Sequence, residues 1–310
     1  MTSATHNPDV LEQVPPDRLA EAISRVMLGG QRPDEAQAEM FIAFAQARRI
    51  PLDMCSGRLE GGTYWPVCLV VPNPGRTALY FTSAPATESD VARVSEVIAF
   101  AHLAMDRNRV ALAQALVTRE ETLLRQAFEH AGFQKLAELA YLEKRVSATA
   151  MAAGPFWPSG VRLHAYAPAR HRDFRQALAE SYVETKDCPG LCGLRALDDV
   201  MTGHRGHGLF DESLWTIAYV DERPAAVLFL NALPDHDTLE LAYIGIGKPA
   251  RGRGLGRALV RHAAHECATR RLRKVTLAVD LDNEPALRLY RSEGFYQVDS
   301  RIALVQPAKT

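Results

Sequence analysis

The chain has 310 residues, a hydrophobic fraction of 47% and a formal net charge of −1. That length accommodates about two ordinary domains with buried cores, and the near-neutral charge excludes a general nucleic-acid binder, which carries a basic excess. Five scattered cysteines make no disulfide framework, no apolar run approaches the ~20 residues that span a bilayer, and the polar, proline-bearing start has no signal pattern. A reduced, cytoplasmic protein with no membrane or nucleic-acid partner is expected.

Residues 17–50 place Leu19, Ile23 and Val26, then Met40, Phe41 and Phe44, at helical spacing around Gly29-Gly30 and Pro33, which predicts two helices. Tyr64–Val71 and Thr77–Phe81 are β-rich runs joined by the turn Pro72-Asn-Pro-Gly75. Ser89-Asp90 can cap a helix running to about Asp106. A strand over Val110–Val117, a helix over Arg119–His130 ended by Gly132, and a strand over Leu136–Val146 complete the first half.

Composition then changes. Ser147–Gly160 is small, apolar and proline-bearing without any period, and marks a domain boundary near residue 150. Beyond it the pattern predicts a strand (Val161–Ala165), a helix (Ala169–Val183), an irregular Cys/Gly-rich segment, and strands at Trp215–Val220, Ala225–Leu230 and Thr238–Ile246. A glycine-rich loop leads into a helix ending near Arg270, followed by a strand (Lys274–Val279), a helix (Pro285–Glu293) and a last strand (Arg301–Val305).

The two halves end alike. Gln114–Phe133 and Leu277–Phe295 are each strand, turn, helix and Gly-Phe stop, and they align without a gap. Gly132 then meets Gly294, and Phe128 meets Tyr290. Matching order within two equal halves points to a duplicated domain.

The loop itself is Arg251-Gly-Arg-Gly-Leu-Gly-Arg257, three glycines and three arginines in seven residues. It is neither the G-x-G-x-x-G of a dinucleotide fold nor a P-loop. It follows a strand and opens a helix whose apolar face is Leu255, Leu259, Ala263 and Cys267. Free backbone N–H groups and the positive end of a helix dipole, roughly half a charge, therefore meet at one point, a setting suited to a pyrophosphate. The Arg270–Lys274 cluster adds positive field.

Arg251-x-x-Gly254-x-Gly256 after a strand resembles the acyl-CoA pyrophosphate loop of the GNAT superfamily of N-acetyltransferases. Asp282-Asn283, Ala286, Tyr290 and Gly294-Phe295 resemble that family's later strand–helix signature. The resemblance covers residues 160–306; the first half shares the hairpin, helix and Gly-Phe ending. A tandem pair with one degenerate half is similar to the mycothiol synthases. The resemblance implies an α/β protein of two tandem GNAT-like domains, each a mixed, mostly antiparallel sheet flanked by helices. Residues 1–150 would be a degenerate, structural domain and residues 151–310 a catalytic acetyltransferase domain.

The same resemblance implies acetyl-CoA as co-substrate, no metal, and a primary amine as acceptor attacking directly. The pyrophosphate falls to Arg251, Gly252, Arg253, Gly254, Leu255, Gly256 and Arg257. The pantetheine and thioester fall to backbone groups near Ile244 and Ile246, on a strand that splays from its neighbour; both isoleucines also suit a buried core. Tyr290 is implied as general acid: a phenol of pKa near 10 can donate to a thiolate whose conjugate acid lies near 8.5; a ring packed in the core is its other reading. Asn283 either bonds the pantetheine amides or caps the helix opened by Pro285. Glu240 is implied as base, though it equally suits a solvated edge position, and His236, Tyr243 and a water chain are the alternatives.

Asp187-Cys188-Pro-Gly-Leu-Cys192 with His204 and His207 has some look of a zinc site, but the histidine spacing is short and the flanking hairpin is missing. Contact with the acceptor is the expected role of this segment, with Cys188 otherwise an inert small residue. His262 and His265 are expected on a solvated helix face. In the first half the counterpart loop, Ser83–Asp90, has no glycine and two carboxylates, and Phe128 replaces the phenol. That half can neither cradle a pyrophosphate nor protonate a thiolate. A non-catalytic acyl-CoA-binding or regulatory protein is the alternative reading, which Tyr290 argues against.

Overall fold

The computed structural model describes residues 10–27, 34–106, 108–146 and 155–308. The chain forms two compact units, Met1–Lys135 with Ile302–Thr310, and Leu136–Arg301. The break between the first two helices, and most of the composition change near residue 150, lie outside the described residues.

In the first unit the elements are β1 (Val10–Gln13), α1 (Leu19–Met27), α2 (Glu35–Ala47), β2 (Cys55–Glu60), β3 (Thr63–Asn73), β4 (Thr77–Thr82), α3 (Glu88–Ala104), β5 (Leu112–Val117) and α4 (Thr122–His130). Strands β1 to β4 pair antiparallel in sequence order, and β4 pairs parallel with β5. Strands β1 and β2 were not evident in the sequence. Cys-Ser-Gly-Arg-Leu-Glu has no β-branched residue, and its extended form is fixed by ladders on both sides. Helix α3 buries Val91, Val94, Val97, Ile98 and Ala101 against the sheet, and Thr87 caps it rather than Ser89.

The second unit contains β6 (Gln134–Arg145), β7 (Val161–Ala165), α5 (His171–Tyr182), α6 (Leu197–Arg205), β8 (Trp215–Val220), β9 (Arg223–Leu233), β10 (Thr238–Ile246), α7 (Leu255–Thr269), β11 (Lys274–Asp280), α8 (Glu284–Ser292) and the start of β12 (Tyr296–Pro307). Strands β7 to β10 form an antiparallel meander, and β10 pairs parallel with β11. Helix α6 lies in the segment expected to be irregular; Val200 and Met201 anchor it in the core. Leu255, Leu259, Ala263 and Cys267 of α7 are buried, as their spacing predicts. Each unit is thus a mixed, mostly antiparallel sheet flanked by helices, as expected.

The connectivity at the end of each half was not foreseen. Strand β6 follows the first Gly-Phe stop, yet residues 139–145 pair with β11 of the second unit. Strand β12 follows the second stop, yet Ile302–Pro307 pair with β5 of the first. The halves exchange their final strands, so the linear division at residue 150 does not coincide with the compact units. Different roles for residues 1–150 and 151–310 remain a proposal.

Candidate functional site

The site follows from a short parallel ladder. Strands β10 and β11 pair over Thr238–Glu240 and Lys274–Thr276 and then part. Beyond Glu240, β10 keeps its other partner, β9, to Ile246, with a register shift between Leu241 and Tyr243. The edge of β10 that faces β11 therefore opens onto a pocket of about 850 Å³ lined by Tyr243–Ile246, the glycine loop and α8. Ile244 and Ile246 sit in that lining while packing partly against the core.

The loop closes one end of the pocket. Gly252 and Gly254 have φ of 76° and 82°, the left-handed region that favours glycine. Gly254 is the N-cap of α7 and has no side chain to bond the helix end, and Gly254, Gly256, Arg257 and Ala258 line the pocket. Gly256 answers a different need: a Cβ there would lie 3.1 Å from Leu289 Cδ2 and 3.4 Å from Ile246 Cδ1, between helix and strand. Leu255 turns away into the core at 1% exposure and contributes no side chain to the pocket.

The three arginines divide. Arg251 lines the pocket, but its guanidinium donates to the carbonyls of Ile246, Ser181, Val183 and Glu184 at 3.0, 3.0, 2.8 and 3.3 Å. Arg257 pairs at 3.0 Å with the buried carboxylate of Glu293, which also takes both donors of Arg261. Arg253 is half-exposed and 3.7 Å from Asp221. The sequence pattern of alternating charge concealed this division, because a partner carbonyl is visible only in the fold.

Tyr290 is 4% exposed, lines the pocket, and packs its ring 5.6 Å from Phe295. Burial, with a smaller contribution from the charge of Asp187, pushes its phenol well above the ordinary value. Asn283 is the helix cap, its Oδ1 accepting from the Ala286 N–H at 3.4 Å, and it also lines the pocket. Tyr243 lines it too, its hydroxyl 2.8 Å from Ser181 Oγ. Glu240 is half-buried but outside the lining, as is the exposed His236. Burial raises the Glu240 carboxyl, and neighbouring His207 offsets this in part.

One lining residue was not singled out by sequence reasoning beyond its segment. Asp187 accepts from the N–H of Asp280 at 3.1 Å and from Asn283 Nδ2 at 3.5 Å. Asp280 is buried and accepts from the N–H groups of Cys188 and Asp282, at 3.0 Å each. Cys188 holds a left-handed φ of 43° and Cys192 is exposed. Among the described residues no group of three or more His, Cys, Asp or Glu is placed to hold a metal. His204 is packed against Phe229 and Tyr243, ring centroids 5.6 and 5.4 Å away, and burial brings its pKa down to about 3. His262 and His265 are half-buried rather than on a solvated face, His262 lying 5.7 Å from the Trp157 ring. Tryptophan reaches α7 from a segment whose packing no helical period encodes.

The first unit repeats this plan with different residues at the corresponding places. Strands β4 and β5 also pair parallel over three residues, Thr77–Leu79 with Leu112–Gln114. The N-terminus of α3, however, is occupied by its own carboxylate: Asp90 accepts from the N–H groups of Ala86 and Thr87 at 3.1 and 2.9 Å. Phe128 packs on Phe133 at 5.1 Å, as Tyr290 packs on Phe295.

Residues 176–295 match the model of the acetyltransferase (GNAT) family. The chain is 26% identical to a mycothiol acetyltransferase of Streptomyces bingchenggensis over 94% of both chains. The first curated matches of the same name, from Corynebacterium and Thermomonospora species, align over about a fifth of their own length. Among solved structures, a GCN5-related N-acetyltransferase from Sphaerobacter thermophilus superposes with a TM-score of 0.62 at 16% identity, covering 97% of this chain and 96% of that one. A tandem GNAT protein from the clavulanic acid biosynthesis pathway gives 0.55 at 15% identity, covering 97% and 99%. The fold is that of tandem GNAT-like domains. No helix among the described residues is long and apolar enough to cross a membrane.

Proposed function

We propose that the protein transfers an acetyl group from acetyl-CoA to a primary amine at the pocket of the second unit. The observation that carries this reading is the convergence, on one pocket, of an unpaired strand edge, an uncapped glycine-rich helix N-terminus and a buried phenol. The residues present fit the co-substrate. The N–H groups between Gly252 and Arg257 offer donors to a pyrophosphate, each charged hydrogen bond contributing about 1.5–3 kcal/mol. The free edge of β10 near Ile244 and Ile246 offers donors and acceptors to the pantetheine amides and the thioester carbonyl. Arg253 supplies the open positive charge, while Arg251 and Arg257 hold the loop and helix in place.

In this reading the amine attacks the thioester carbon, a C–N bond forms and the C–S bond breaks. Tyr290 donates its proton to the departing thiolate. Its raised pKa keeps it protonated at neutral pH, and help of this kind is typically worth ~10²–10⁴ in rate. The first unit is structural, since Asp90 fills the place a pyrophosphate would take and Phe128 has no proton to give.

Calorimetry with CoA, together with thiol release from acetyl-CoA over a panel of primary amines, tests the reading. The panel includes the acceptor of a mycothiol acetyltransferase. One CoA per chain and thiol release with at least one amine are expected. Two equivalents bound, or none, would overturn the site assignment. CoA binding without release for any amine would leave an acyl-CoA-binding protein instead.

A further inference from the structure

The acceptor amine reaches the pocket as an ammonium ion and must lose a proton before it can attack. Glu240, the carboxylate that the family resemblance implies, does not line the pocket. Two carboxylates of the lining are Asp187 and Glu184; both residues are exposed, and Glu184 is taken up by Lys248 at 2.5 Å. Asp187 instead accepts hydrogen bonds from the Asp280 N–H and the Asn283 amide. It lies in the loop after α5, in the same lining as Tyr290, Tyr243 and Tyr182. Both of those bonds end on Oδ1, and Oδ2 carries neither of them.

Resting on the transferase reading above, we infer that Asp187 is the base that receives the acceptor's ammonium proton, and that its carboxylate selects cationic primary amines. Tyr290 and Asp187 line one pocket, and the charge of Asp187 acts on the hydroxyls of Tyr290, Tyr182 and Tyr243. Thiolate-protonating and amine-deprotonating groups are thus within electrostatic reach of one another. Protons balance: one leaves the ammonium for Asp187 and then solvent. A second leaves the nitrogen as the amide forms and replaces the one Tyr290 gives to sulfur.

The surroundings of Asp187 fit the task. Burial raises its carboxyl, the N–H of Asp280 and the amide of Asn283 lower it in part, and the charge of Asp280 raises it again, for a net rise. The groups bearing on it come from β11 (Asp280), α8 (Tyr290, Asn283), β10 (Tyr243), α5 (Tyr182) and its own loop (Cys188). A base with a raised pKa accepts a proton more readily near neutral pH than an ordinary carboxylate.

The test compares two acceptors: an alkylamine, charged at pH 7, and hydroxylamine, largely neutral there. Asp187→Asn keeps an oxygen for the Asp280 N–H. It should hold acetyl-CoA affinity within about threefold by calorimetry, lower kcat/KM for the alkylamine at least a hundredfold, and lower that for hydroxylamine less than tenfold. Asp187→Glu should recover at least tenfold for the alkylamine and shift the acid limb of its pH profile; this arm carries the test if the asparagine variant does not fold. Equal losses with both amines, or wild-type rates in Asp187→Asn, overturn the assignment. An amine-discriminating loss in Glu240→Gln instead of Asp187→Asn overturns it in favour of Glu240. A wild-type protein that binds acetyl-CoA but acetylates no amine overturns the transferase reading itself, and this assignment with it.

Discussion

The guanidinium of Arg251 donates to the carbonyl of Ile246 at 3.0 Å, tying the end of β10 to the loop that leaves it. Three further carbonyls, from Ser181, Val183 and Glu184, fill the same side chain. A residue whose sequence context points to a phosphate ligand also holds, through its guanidinium, the loop that it opens.

Arg251→Lys should therefore destabilise the fold by about 1–3 kcal/mol, since lysine cannot fork across several carbonyls. Arg253→Ala should leave the melting temperature within about a degree and weaken CoA binding several-fold, with a shallower salt dependence than wild type. Differential scanning calorimetry and CoA titrations at two ionic strengths separate the two. A fully stable Arg251→Lys protein would show that the clamp is dispensable.

Gly254→Ala and Gly254→Glu should part company. A methyl group has room, with Pro158 Cγ 3.8 Å from the Cβ position, but φ of 82° costs an L-residue roughly 1–2 kcal/mol. The alanine variant should fold with a lowered melting point and bind CoA weakly. The glutamate variant should lose binding altogether, because it sets a negative charge at the helix N-terminus where the pyrophosphate belongs.

Tyr290→Phe removes one oxygen from a side chain whose ring is held by Phe295. CoA affinity should stay within a few-fold while kcat falls at least about tenfold, toward the general-acid range. Phe128→Tyr should add no activity, because Asp90 already caps the equivalent helix. Thiol release at saturating substrate is the measurement. An unchanged kcat in Tyr290→Phe, with chemistry rate-limiting, would reduce the phenol to packing.

Alkaline stability offers a check independent of activity. Burial raises the phenols of Tyr290 and Tyr243, and brings that of Tyr182 to about 12. A folded pKa above the unfolded value near 10 means that the folded state holds its proton longer. Stability from these groups is full below pH ~10 and is lost as pH rises toward the folded values. Urea midpoints should be flat from pH 8 to about 9.5 and then fall, with phenolate absorbance rising together with unfolding. A gradual phenolate signal well below the unfolding transition would mean the rings are solvated.

Much of the second unit was legible because its cues are local. Strands β7, β8 and β10 follow from alternation and β-branching, and α7 from Leu255, Leu259, Ala263 and Cys267 at helical spacing. The glycines were legible as well, since positive φ leaves a compositional trace. What depends on distant partners was not. The four carbonyls that Arg251 holds come from two separate stretches of chain and leave no local trace. Asp187 reads as a loop aspartate until Asp280, 93 residues away, donates to it. Strand β2 has no pattern of its own and borrows its form from neighbours.

The exchange of final strands sets the order in which this chain can be completed during synthesis. The first unit's edge at β5 is closed by Ile302–Pro307, which emerge from the ribosome after every element of the second unit. The usual sequence, in which the N-terminal domain matures while the rest is still being made, is closed to it. Until then β5 carries an unpaired edge, the kind of surface that recruits foreign strands. Trimming the chain after residue 300 would damage the unit farthest away in sequence and leave the pocket's own lining residues in place. Nor can the halves be separated at residue 150 for study, because each would depart with a strand that the other needs.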